Sequence, residues 1–151
     1  MGPSKDKRLV RCGRNTNHND QPHRAGPRLY KVLQNATEGE FSIQCKVRLA
    51  DIFYTPYGTN ISYFNKITRK HIDFLVCDLT TMKPILGVEL DDASHNQPDR
   101  RDRDAFVDEI FRMTNFPLLH FKVQQAYNTE EIASKVKKII ENMPMSRIHA
   151  N

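Results

Sequence analysis

Two stretches decide the fold: His71-Ile72-Asp73-Phe74-Leu75-Val76-Cys77 and, after a short loop, Ile85-Leu86-Gly87-Val88-Glu89-Leu90-Asp91-Asp92-Ala93-Ser94-His95. Each is an apolar run of strand length with acid in its interior. An ionised carboxylate flanked by Ile, Phe, Leu and Val belongs at the edge of a core, where it is tolerated only if paired, hydrogen-bonded or bound to a cation. If the runs form a hairpin around loop 78–84, with Cys77 and Ile85 facing at its ends, Asp73 lies opposite Glu89 and His71 opposite Asp91. Directly opposed residues have Cβ atoms roughly 4.5 to 5.5 Å apart, and Glu89 and Asp91 share a face. Three carboxylates and an imidazole are thus expected to converge, and a hard divalent cation, Mg²⁺ or Mn²⁺, would compensate their repulsion. A raised carboxylate pKa, or salt bridges from Arg69, Lys70, Arg100 or Arg101, is the alternative.

Working outward, Leu29, Tyr30, Val32 and Leu33 give a short helical stripe ending before Gly39, followed by a strand around Phe41 to Val47. Residues 50–68 read as irregular. Pro84 closes the loop that starts at Asp78, and 85–91 is the second acidic strand. A helix is expected from Pro98 to about Asn115, with Phe106, Val107, Ile110 and Phe111 as its apolar face. A strand at Leu118 to Val123 and a helix capped by Thr129, with Ile132, Val136, Ile139 and Ile140 inward, complete the chain. The order α, β, β, β, α, β, α makes the fold class α/β.

The chain has 151 residues, 38% hydrophobic and 27% charged, which fits one domain with a core of its own. Cys12, Cys45 and Cys77 form no C-x-x-C pair and read as reduced thiols of a cytoplasmic protein; zinc on Cys12, His18 and His23 lacks a fourth ligand. No apolar run approaches the ~18 residues of a membrane span, so no membrane association is expected. The net charge of +5 sits in the N-terminal segment: residues 1–28 hold seven Lys and Arg against Asp6 and Asp20, and the remainder balances at sixteen and sixteen. Residues 1–27 therefore read as a basic, disordered arm suited to a phosphate backbone or to solubility alone, 28–145 as the domain and 146–151 as a tail.

The pattern F-N-K-I-T-R-K-H-I-D-F-L-V-C-D, G-V-E-L-D-D-A-S-H, P-D-R-R-D-R-D-A-F-V-D-E-I and F-P-L-L-H-F, across residues 28–127, resembles a bacterial domain family of unknown function in the restriction-endonuclease-like, PD-(D/E)XK superfamily, near the Vsr-type endonucleases. The resemblance implies an α-β-β-β-α-β core and a metal-dependent nuclease. Asp73 takes the place of the motif Asp, Glu89 that of the motif Glu, and Asp91 stands where the usual Lys would be. His95 resembles the histidine just past the acidic strand of Vsr-like relatives. Two departures are visible: the motif Lys is absent, and no acid precedes Glu38 in the first helix.

The expected reaction is in-line hydrolysis of a nucleic-acid phosphodiester, DNA in the first place. Asp73, Glu89 and Asp91 would serve the metal, His71 or His95 would handle protons, and Arg69, Lys70, Arg100, Arg101 and Arg103 would neutralise backbone phosphates. Tyr54, Tyr57, Tyr63 and Phe64, beside that basic patch, either stack on bases or pack the loop onto the core. A non-catalytic module that binds nucleic acid or protein is the alternative function, and a homodimer remains open. No P-loop or dinucleotide-binding glycine pattern is present.

Overall fold

The computed structural model describes residues 25–37, 39–54, 58, 61–92 and 98–143, without the side chains of 98–104. In chain order the elements are α1 (Ala25–Ala36), β1 (Phe41–Arg48), α2 (Leu49–Ile52), α3 (Ile61–Thr68), β2 (His71–Asp78), β3 (Pro84–Asp91), α4 (Pro98–Met113), β4 (Leu118–Lys122) and α5 (Thr129–Glu141). The expected α/β succession is present, with two additions. Short helices α2 and α3 lie where the sequence reads as irregular. Neither is long enough to hold in isolation; they form because Leu49, Phe53 and Ile67 dock into the core. α1 starts at Ala25, ahead of the expected boundary at Arg28. Gly26 and Pro27 resemble a linker in sequence, but proline is accepted in a first helical turn, where its missing N–H costs nothing. The arm through residue 24, with the zinc option at Cys12, His18 and His23, lies outside the described residues.

The sheet runs β1-β2-β3-β4. β1, β2 and β3 are antiparallel neighbours, while β4 joins β3 in parallel, with α4 as the crossover such a pair requires. Helices cover both faces. Leu29 and Leu33 of α1 and Ile132 and Val136 of α5 pack with Phe74, Val76, Leu86 and Val88. On the other face Leu49, Ile67, Val107, Ile110 and Phe111 pack with Leu75 and Cys77. Burial on both faces explains why β2 and β3 read as nearly unbroken apolar runs. It also pushes the Cys77 thiol up to about 11, so that it stays protonated and inert at neutral pH.

The hairpin register is the expected one at Phe74↔Val88, Leu75↔Gly87 and Val76↔Leu86, but a bulge then sets Cys77 against Pro84 rather than Ile85. The turn explains the slip. Oδ1 of Asp78 accepts from Thr80 N, Thr81 N and the Thr81 hydroxyl at 3.0, 2.7 and 2.8 Å, and Met82 takes a left-handed φ of 58°. The last helix is capped by Asn128 rather than Thr129: the Asn128 side chain accepts from Glu130 N and Glu131 N at 3.0 and 3.2 Å.

At Gly87 the ring of Phe111 on α4 lies directly against the β3 backbone. A Cβ there would stand 2.6 Å from Cε1 of Phe111 and 3.0 Å from Cδ1 of Leu118. The Phe111 ring cannot retreat easily, since it meets Phe53 and Phe116 edge-on at 5.0 and 5.6 Å. Gly87→Ala is therefore expected to destabilise the protein by about 1–3 kcal/mol in urea unfolding. Unchanged stability would show that α4 can slide.

Candidate functional site

Asp73 lies near the start of β2, and Glu89 and Asp91 lie near the end of β3. The β2–β3 ladder stops at Phe74↔Val88, and beyond it the Asp73 side chain takes over the pairing: Oδ2 accepts the N–H of Leu90 at 2.8 Å. Its other oxygen, Oδ1, receives the ammonium of Lys46. Asp73 is thus tolerated in an apolar strand at 17% side-chain exposure because each oxygen has a donor.

Lys46 reaches Asp73 through a local irregularity of β1. Its φ is 53°, a left-handed conformation unusual for a residue other than Gly, Asn or Asp. The β1–β2 pairing passes from Cys45↔Phe74 to Val47↔Ile72 and skips Lys46 and Asp73. Simple alternation would put Cys45 and Val47 on one face. Instead Cys45 and Phe74 belong to the core under α1 and α5, and Val47 and Ile72 to the core under α2, α3 and α4. Both strands change faces at the Lys46–Asp73 pair.

A second cluster joins three elements. Nδ1 of His120 on β4 lies 3.2 Å from Oδ1 of Asp91 on β3, and Nε2 lies 3.0 Å from Oδ1 of Asp108 on α4. Both contacts are hydrogen bonds only while both ring nitrogens carry hydrogen. The parallel register sets Glu89 beside His120 and Asp91 beside Lys122.

The expected convergence of Asp73, Glu89, Asp91 and His71 on one patch is not the geometry found. Among the described residues no group of three or more His, Cys, Asp or Glu is arranged to hold a metal ion. The reason is local. Asp73 is turned to Lys46 and Leu90, Asp91 is turned to His120, and His71 is exposed opposite Arg48. Glu89 is half-buried on β3. As a donor set, carboxylate oxygens suit Mg²⁺ or Mn²⁺, and the Lys46 ammonium at Asp73 marks where positive charge is drawn. Asp73 and Glu89 are donors of that kind, but in this arrangement the Lys46 ammonium and the Leu90 N–H hold the two oxygens of Asp73.

Arg69 is exposed and Lys70 half-buried just before β2, with the Lys70 carbonyl accepting Leu49 N at 2.9 Å. His95 and the side chains of Arg100, Arg101 and Arg103 lie outside the described residues. Sequence reasoning missed Lys46, His120 and Asp108. Nothing in Gln44-Cys45-Lys46-Val47 announces a left-handed residue. His120 would have been found by pairing β4 with β3 in parallel, which puts it beside Glu89.

Among the described residues no helix is long and apolar enough to cross a membrane. Searches of curated proteins and of solved structures find no match to the chain. Residues 23–139, most of the chain, match the profile of a family described as "Protein of unknown function (DUF2726)", and the chain belongs to that family.

Proposed function

We propose that the protein is a divalent-metal-dependent nuclease whose site lies at the Asp73, Glu89 and Asp91 end of the sheet. The observation that carries this reading is Asp73 itself, a carboxylate at the opening of the β2–β3 ladder with a lysine from β1 on one oxygen and a backbone N–H on the other. The order of α1, β1, β2, β3, α4 and β4, once α2 and α3 are set aside, supports a restriction-endonuclease-like core.

Asp73 and Glu89 are the residues that would hold Mg²⁺ or Mn²⁺. The ion would supply charge neutralisation at the phosphate and acidify a water. Lys46 carries the positive charge that the strand position of Asp91 lacks, and it can orient a water or a phosphate oxygen from the β1 side. Asp91 is held by His120, which is backed by Asp108, so a proton taken up at Asp91 has an imidazole beside it. His120 is therefore preferred over His71 for proton handling, and His95 keeps the role that the family resemblance implies. Hydrolysis forms a bond from water oxygen to phosphorus, breaks the phosphorus–oxygen ester bond, moves one water proton to the site and returns one to the leaving oxygen. Arg69, Lys70, Arg100, Arg101 and Arg103 are the proposed phosphate contacts.

The second reading is a nucleic-acid-binding module without cleavage, favoured because no group of three or more His, Cys, Asp or Glu among the described residues is arranged to hold a metal ion. The test is cleavage of end-labelled single-stranded, duplex, mismatched and branched DNA and of RNA, with Mg²⁺, Mn²⁺ or EDTA, by the native protein and by Glu89→Gln. Metal-dependent cleavage that disappears in the variant is expected. Intact substrates that are nevertheless retarded on a gel would favour the binding module.

A further inference from the structure

Between Asp51 and Asp73 the chain holds no carboxylate. Residues 52–72 contain Lys66, Arg69 and Lys70, together with the aromatics Phe53, Tyr54, Tyr57, Tyr63 and Phe64. The structure divides the aromatics. Phe53 is buried, meeting Phe111 edge-on at 5.0 Å, and Tyr63 is half-buried, meeting Phe106 edge-on at 5.5 Å. Tyr54 is left 87% exposed and Phe64 46% exposed, with Ile61 at 76% one turn before Phe64 on α3. Packing the segment onto the core accounts for Phe53, Tyr63 and Ile67 but not for these three.

Exposed aromatic rings within a stretch of uniformly positive charge fit an unpaired nucleic-acid strand. Every base offers a π-face to a ring, and every phosphate offers a charge to Lys or Arg. A duplex hides its base faces in the stack and would use only the cations. Position agrees, because α3 ends at Thr68 and Arg69 and Lys70 lead directly into β2, so Phe64 is nine residues from Asp73 along a partly helical path. We infer that the exposed side chains of Tyr54, Phe64, Lys66 and Arg69 form a single-strand binding surface, with Tyr54 and Phe64 stacking on bases and Lys66 and Arg69 contacting phosphates, and that it delivers unpaired strands to the acidic end of the sheet. This rests on the nuclease reading for its purpose, but its test does not depend on cleavage.

Fluorescence anisotropy of the full chain in EDTA, with labelled oligodeoxythymidine, oligouridine and a DNA duplex of equal length, makes the comparison. Native protein is expected to prefer either single strand over the duplex. Tyr54→Ala and Phe64→Ala should each weaken single-strand binding roughly five- to a hundredfold while changing duplex binding little. Tyr54→Phe and Phe64→Tyr should keep native affinity, and Lys137→Ala on α5 should change nothing. Equal affinity for strand and duplex, or alanine variants that bind like the native protein, would overturn the proposal. Binding is read in EDTA, where no metal-dependent cleavage occurs, so a failed cleavage assay and a failed binding surface are told apart.

Discussion

Asp73→Asn is expected to fold and to lose nucleic-acid cleavage by about a hundredfold or more, the scale on which preorganised charge at a reacting centre acts. The asparagine oxygen can still accept the N–H of Leu90, so the opening of the ladder stays closed. On the other side an amide NH₂ would face the Lys46 ammonium, donor against donor, and neither could draw a cation. The stability change should stay within about 1 kcal/mol, because Lys46 is 71% exposed and water screens its pair. Asp73→Ala is the contrasting case. It also strands the Leu90 N–H, which adds about 1–3 kcal/mol of destabilisation. Cleavage by Asp73→Asn at the native rate, with chemical denaturation showing both variants folded, would end the assignment of Asp73 to the site.

The largest stability effect is expected at Phe111. Its ring is 1% exposed, lies over Gly87 and forms edge contacts with Phe53 and Phe116. Phe111→Ala removes the piece that ties α4 to the sheet and should cost about 3–5 kcal/mol in urea unfolding, with a fall in Tm of roughly 10 to 20 °C. Phe111→Leu should lose less, and it should partly relieve the penalty of Gly87→Ala because the clashing ring edge is gone. Simple additivity of the two single changes would show that the ring and the glycine are not coupled.

Most of the fold was legible because its signals are local. Apolar periods of two and of nearly four residues placed β1, β2, β3, α4, β4 and α5 to within a few residues, and Pro98 marked the start of α4. The helices α2 and α3 were not legible, since their stability comes from Leu49, Phe53 and Ile67 meeting a core assembled from distant residues. Of the candidate site, the strand positions of the acids were legible. Acid in apolar strands singled out Asp73, Glu89 and Asp91, and the hairpin register followed from the loop as far as the bulge at Cys77. What those carboxylates meet was not legible. The sequence carries no sign that Lys46 turns left-handed, and the strand–helix–strand order that allows β4 to lie parallel to β3 does not by itself set the register; the left-handed turn and that register bring Lys46 and His120 to the acids.

The left-handed Lys46 has a consequence for how molecules of this protein meet. Among the described residues β1 is an outer strand of the sheet, and an outer strand can offer backbone donors and acceptors to a passing strand. At Lys46 their regular spacing is broken in mid-strand, and a neighbour adding itself there would lose its pairing after a few residues. The opposite border, β4, is only five residues long and bears His120 and Lys122. The kink that brings an ammonium to Asp73 is thus expected also to discourage strand addition at β1, and a substitution that straightened β1 is expected to show first as precipitation in concentrated solution.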